Sequence, residues 1–198
     1  MSIEIEAKWV DINPDGLRKR LRTVGAALGQ QETLMRRRVY DEPTPFAVYG
    51  HGWLRVRDEG DKVTLTYKKM NDRSVNGMID ISVTVSDFEK TCAMFEEMKL
   101  TGGAYQETKR ETWRLGKAEI TIDTWPWIPT FVEIEAETEK VLWDVAEQLG
   151  LERGAALHGS VENVYQKYYD VTEEEVDKWK RIAFEPAPDW LEEKKRRS

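Results

Sequence analysis

Polar and apolar positions alternate from the start of the chain, where Ile3 and Ile5 interleave with Glu4, Glu6 and Lys8 in IEIEAKWV. A period of two marks a strand, and one face of this strand is entirely charged. The period then changes. Pro14 opens residues 14 to 28, and Leu17, Leu21, Val24 and Leu28 share one stripe, which predicts an amphipathic helix. LMRRRVYD, GWLRVRDEG, KVTLTYKK and GMIDISVTVSD follow. Each is short, alternating or β-branched, and separated from the next by Gly, Pro, Asp or Asn, so they predict four further strands. In DFEKTCAMFEEMKL, Phe88, Cys92, Phe95 and Met98 return to helical spacing, and Gly102 with Gly103 ends the pattern.

YQETKRETWRL, KAEITIDTW and PTFVEIEAET alternate again, with turn signals at Gly116 and at the proline-bracketed WPWIP. The strand count reaches about eight, enough to close a barrel around one small ligand. Residues 138 to 150 predict a third amphipathic helix capped by Thr138, and SVENVYQKYYD a short one. TEEEVDKWKRIAF, EPAP and DWLEEKKRRS read as a helix, a break and a charged tail. The expected fold is therefore α+β: a closed eight-stranded antiparallel β-barrel flanked by amphipathic helices. Residues 1 to 170 are expected to form it, with 171 to 198 as a C-terminal helical extension.

The polar faces of these strands carry the candidate chemistry. Strand parity groups Glu4, Glu6 and Lys8; Arg55 and Arg57; Thr66 and Lys68; Asp80, Ser82 and Thr84; Thr121 and Asp123; and Glu133, Glu135 and Glu137. A charged face on a single strand is ordinarily a solvated surface. Here acids dominate the first and last strands and bases the middle ones. If the amphipathic helices cover the apolar faces, these charges line the barrel interior. A polyphosphate needs such a lining: Arg and Lys donors on its oxygens, and a divalent cation held by carboxylates. Lys109, Arg36 and Arg38 fall on the opposite parity and are expected at the surface.

Composition narrows the choice. With a lone Cys92 and only His51 and His158, thiolate clusters, zinc-type ligation and histidine triads are poor hypotheses, so a metal must be held by oxygen. A net charge of -7 argues against a nonspecific nucleic-acid binder. No stretch approaches the roughly 18 apolar residues of a membrane span, and the N-terminus carries acids where a signal peptide carries bases, so a cytoplasmic protein is expected.

The N-terminal Glu4-x-Glu6-x-Lys8 resembles the ExExK signature of the CYTH superfamily, the triphosphate tunnel metalloenzymes. VYDEP, LRVR at residues 54 to 57, LTYK ending in Lys68, Lys109-Arg110, a strand ending in Asp123, and FVEIE at residues 131 to 135 match in the same order. The resemblance runs from residue 3 to about residue 168. It implies phosphate binding by Lys8, Arg55, Arg57, Lys68 and Arg110, with Arg37 at a position that varies among relatives. It implies metal binding by Glu4, Glu6, Glu133 and Glu135, with Asp80 and Asp123 as further acids, and Mg²⁺ or Mn²⁺ as the cofactor. This chain departs from the pattern at Met78, Asp80 and Ser82, where relatives often carry Arg-x-Glu-x-Glu, and at Thr108, where many have Lys.

Three functions fit. The first is hydrolysis of an inorganic, thiamine or nucleoside triphosphate, with Arg57 among the residues neutralising the transferred phosphoryl group and Lys68 or Tyr40 polarising the water. The second is cyclisation of ATP to cyclic AMP and pyrophosphate, and the third is noncatalytic triphosphate or polyphosphate binding. The expected partner is a small-molecule triphosphate, with neither a membrane nor a specific nucleic acid. Oligomeric state, a homodimer included, is left open.

Overall fold

The computed structural model describes residues 5–41, 52–70 and 78–196, without the side chains of residues 69, 70 and 78–80. Its elements, in chain order, are β1 (Ile5–Trp9), α1 (Pro14–Thr23), β2 (Ala27–Asp41), β3 (Gly52–Asp58), β4 (Val63–Met70), β5 (Met78–Val85), α2 (Phe88–Glu97), β6 (Gly102–Leu115), β7 (Ala118–Thr124), β8 (Phe131–Ala136), α3 (Glu139–Gln148), α4 (Val161–Tyr168), α5 (Glu173–Asp177), β9 (Arg181–Ile182) and α6 (Asp189–Glu192).

Helix α1 ends sooner than its apolar stripe predicts. Gly25 takes a φ of 80, the Ala26 N–H bonds the Leu21 carbonyl at 2.9 Å, and the Gly25 N–H bonds Arg22 at 3.2 Å. These two bonds form a Schellman stop, which needs a residue free of Cβ strain at Gly25. Leu28, expected on the helix, lies instead on β2 and is exposed. Strand β6 starts at Gly102, where a Cβ would meet the Asp41 nitrogen at 3.0 Å, so the backbones of β2 and β6 approach there only because the residue is glycine.

The strands follow the order β1-β8-β7-β6-β2-β3-β4-β5, with β9 added parallel to β6. This is an antiparallel sheet with helices, as expected, but the closed barrel is corrected. Among the described residues the path ends at β1 and β5 instead of returning on itself. The outer edge of β1 has another partner: the Lys8 N–H bonds the Leu157 carbonyl at 2.9 Å, and the Leu157 N–H bonds the Lys8 carbonyl at 2.8 Å. A strand edge must satisfy its backbone groups, and here a loop satisfies them.

By contacts the chain forms two compact units. The first comprises Leu34–Glu107 and Trp179–Ala183; the second comprises Ser2–Thr33, Thr108–Lys178 and Phe184–Ser198. In the second, α1 and α3 lay Leu17, Leu21, Leu142, Val145 and Leu149 on the apolar strand face of Trp9, Ile120, Ile122, Val132 and Ile134. In the first, α2 lays Phe88, Cys92 and Phe95 on Tyr40 and Val56. Truncating one of these core leucines to alanine costs about 2–5 kcal/mol. In the second unit the helices cover the apolar strand face, and in the first α2 covers it at Tyr40 and Val56 while Ile81 and Val83 of β5 stay exposed.

Candidate functional site

In the second unit the polar face gathers acids from β1 and β8. The register sets Glu6 opposite Glu135 and Lys8 opposite Glu133, and β7 adds Thr121 opposite Glu133. Residues directly opposed in antiparallel strands share a face, so these local choices converge. One carboxylate oxygen each from Glu6, Glu133 and Glu135 lies within 4.8 Å of the others. Oxygens around a hard divalent cation, each about 2.0–2.6 Å from it, are separated by up to about 5 Å, so the three carboxylates fit such an ion.

Lys8 sits among them and is 4% exposed. Its Nζ donates to Glu6 Oε1 at 2.6 Å and to the Gly159 carbonyl at 2.7 Å, and it pairs with Glu133 Oε2 at 3.0 Å. Burial alone lowers the Lys8 pKa, but Glu133 and Glu6 outweigh it, and the ammonium stays above the ordinary lysine value. Burial is also the main influence on Glu133: it pushes this carboxyl above the ordinary glutamate value, with Glu6 and Asp123 adding to the effect and Lys8 and Arg110 opposing it.

Arg110 and Asp123 complete this face. They are register partners, and the Arg110 Nε and terminal nitrogen donate to the two Asp123 oxygens at 2.7 and 2.8 Å. The Thr121 hydroxyl donates to the same carboxylate at 2.8 Å. Asp123, expected as a further metal acid, is thus bound to Arg110 and Thr121 and lies outside the three-carboxylate group. Lys109, on the opposite parity, places its Nζ 5.1 Å from the Phe184 ring centroid.

In the first unit the polar face is cationic. The register aligns Arg37 with Arg57, Arg57 with Thr64, Arg55 with Thr66, and Lys68 with Asp80. Two residues that sequence reasoning did not single out orient these cations. Arg57 is gripped by Glu59 at 3.0 and 2.9 Å, and Thr64 donates to the same oxygen at 2.9 Å. Arg37 Nε donates to Gln106 at 2.6 Å. Burial acts against the Glu59 charge, but Arg57 and Thr64 outweigh it and lower its pKa. Neither Glu59 nor Gln106 announces itself in sequence, because each acts through an arginine. Ser82, which stands where relatives often carry an acid, shares a 2.8 Å hydrogen bond with the Thr66 hydroxyl.

Tyr40, expected beside Lys68, is not brought to that face. It pairs in register with Leu54, on the apolar side of β2 and β3, and is 1% exposed. Its hydroxyl donates to the Cys92 carbonyl at 3.5 Å, its ring meets Phe95 edge-on, and burial raises its pKa. Glu4 lies outside the described residues, as does the side chain of Asp80. Arg36, engaged by Asp58 and Glu89, and Arg38, engaged by Glu96, lie on the parity expected of surface charges.

No described helix is long and apolar enough to cross a membrane. No curated protein matches the chain by sequence. A solved protein from Pyrococcus horikoshii superposes with a TM-score of 0.59 at 25% identity, covering 78% of this chain and 94% of that one. A conserved hypothetical protein from Pyrococcus furiosus gives 0.60 at 24% identity, with coverage of 78% and 94%. A supposed adenylate cyclase from Vibrio parahaemolyticus gives 0.67 at 16% identity, covering 83% of this chain and 98% of that one, a likeness of fold. The CYTH domain matches residues 2–169, and its members are metal-dependent enzymes that act on triphosphates. Signature, fold and match agree, and the chain belongs to the CYTH family.

Proposed function

We propose that this chain hydrolyses a triphosphate-bearing substrate (inorganic, thiamine or nucleoside triphosphate) with Mg²⁺ or Mn²⁺. The observation that carries the reading is the segregation of charge. Glu6, Glu133 and Glu135 cluster on one polar face, while Arg37, Arg55, Arg57 and Lys68 share another. Family membership is what joins the two sets in one reaction.

Glu6, Glu133 and Glu135 hold the cation, which when bound supplies Lewis-acid neutralisation of phosphate charge. The arginines and Lys68 take the phosphate oxygens and oppose the charge that develops on the transferred group. Glu59 and Gln106 hold Arg57 and Arg37 in position, so less orientation has to be gained when substrate arrives. Lys68 takes the water-orienting role, since Tyr40 faces the core.

Hydrolysis is preferred to cyclisation because it needs only the phosphate and cation residues. Cyclisation also requires the ribose in near-attack geometry, where an error of about 1 Å costs on the order of a hundredfold in rate. The test is a panel of triphosphates with Mg²⁺ or Mn²⁺, measuring orthophosphate, pyrophosphate and cyclic AMP. Orthophosphate release supports the proposal. Cyclic AMP with stoichiometric pyrophosphate replaces it with the cyclase reading, and binding without turnover replaces it with a noncatalytic one.

A further inference from the structure

We infer that Lys8 is a tethered competitor of the divalent cation: it occupies the carboxylates until the cation replaces it, and only then is its ammonium available to phosphate. The inference rests on the cation reading proposed above and deepens it.

An ammonium has three protons to donate. Those of Lys8 are directed to Glu6 Oε1 at 2.6 Å, the Gly159 carbonyl at 2.7 Å and Glu133 Oε2 at 3.0 Å. Two of these acceptors belong to the three carboxylates that fit a cation. The ammonium therefore bridges Glu6 and Glu133, whose oxygens a cation at this site would have to take. Its backbone is fixed as well, since Lys8 pairs with Glu133 on one side and Leu157 on the other. Only the side chain is left to move. Charge explains why the exchange is favourable: a divalent cation carries twice the charge of the ammonium it displaces from Glu6 and Glu133. A cation taking Glu6 and Glu133 strips Lys8 of two acceptors and leaves it the Gly159 carbonyl, so its freed protons become donors for a phosphate oxygen. Cation binding then precedes productive triphosphate binding.

The test uses the full chain and Mn²⁺ alone, without triphosphate. Lys8→Met is expected to bind Mn²⁺ at least about fivefold more tightly than the wild type, the lower range of ordinary coupling between sites, while Lys8→Arg stays near the wild type. Equal or weaker binding by folded Lys8→Met overturns the inference and leaves the cation reading standing. If neither wild type nor variant binds Mn²⁺, the cation reading falls and this inference with it. Should Lys8→Met fail to fold, the wild type decides through reductive methylation read by peptide mass. Lys8 is expected to methylate faster with Mn²⁺ present, and an unchanged or slower rate overturns the inference.

Discussion

Arg110 and Asp123 stand directly opposite each other on β6 and β7, and the guanidinium grips both carboxylate oxygens, at 2.7 and 2.8 Å. Asp123 is 1% exposed, so its charge has almost no water to fall back on. Removing one partner of such a pair leaves an uncompensated buried charge, and Arg110→Ala is expected to destabilise the chain by about 3–5 kcal/mol. Lys109→Ala, which removes a cation from an aromatic ring, should cost about 1 kcal/mol or less. Urea unfolding of the two variants checks the contrast, and similar losses would refute the parity argument.

Turnover is expected to stop in excess EDTA and return with added Mn²⁺ or Mg²⁺. Glu135→Gln removes one of three clustered carboxylates and should raise the cation concentration needed for half-maximal rate by about tenfold or more. Full activity in EDTA contradicts this assignment.

In EDTA, Glu133 gives the chain a particular pH dependence. Its folded pKa is raised, chiefly by burial, so the folded chain holds this proton more tightly than the unfolded one. Its contribution to stability is present below the ordinary glutamate value and is lost as pH rises through the raised folded value. Cation binding runs the other way, because it needs the carboxylate, so Mn²⁺ affinity should fall on acidification through that same raised value. In Glu133→Gln the first effect disappears from the difference between pH-dependent melting curves. An unchanged curve would show that Glu133 is not its source.

Glu59→Gln tests the orientation of Arg57. The pair is partly exposed, at 25% for Arg57 and 12% for Glu59, so stability should change by only about 1 kcal/mol. If Arg57 takes a phosphate oxygen, KM for the triphosphate should rise several-fold with a smaller change in kcat. Kinetics identical to the wild type would separate Glu59 from the site.

Tyr40→Phe removes a hydroxyl with one long hydrogen bond, to the Cys92 carbonyl. The residue lies on the face away from Lys68, so kcat is expected within about twofold of the wild type and stability within about 1 kcal/mol. A large fall in kcat would return Tyr40 to the catalytic reading.

Strand parity is a local property, since side chains alternate wherever the backbone is extended, so the chain alone determined which residues share a face. Arg55 with Arg57 and Glu133 with Glu135 follow from counting, whereas Tyr40, expected to help polarise the water, lies on the parity opposite to that of Arg37. The helical stripes of α1, α2 and α3 are equally local, and the ordered motifs from Glu4 to Glu135 carried the family. The family left the roles of Lys8 and Asp123 as implied, and the tertiary structure supplied their surroundings. Gly159 reaches Lys8 from 151 positions away, Leu157 takes the β1 edge expected to close a barrel, and Arg110 with Thr121 occupies Asp123. Backbone groups at an edge and protons on a buried ammonium must find acceptors, but nothing local specifies which distant segment provides them. Periodicity fixes the direction in which a side chain points, and folding decides what meets it there.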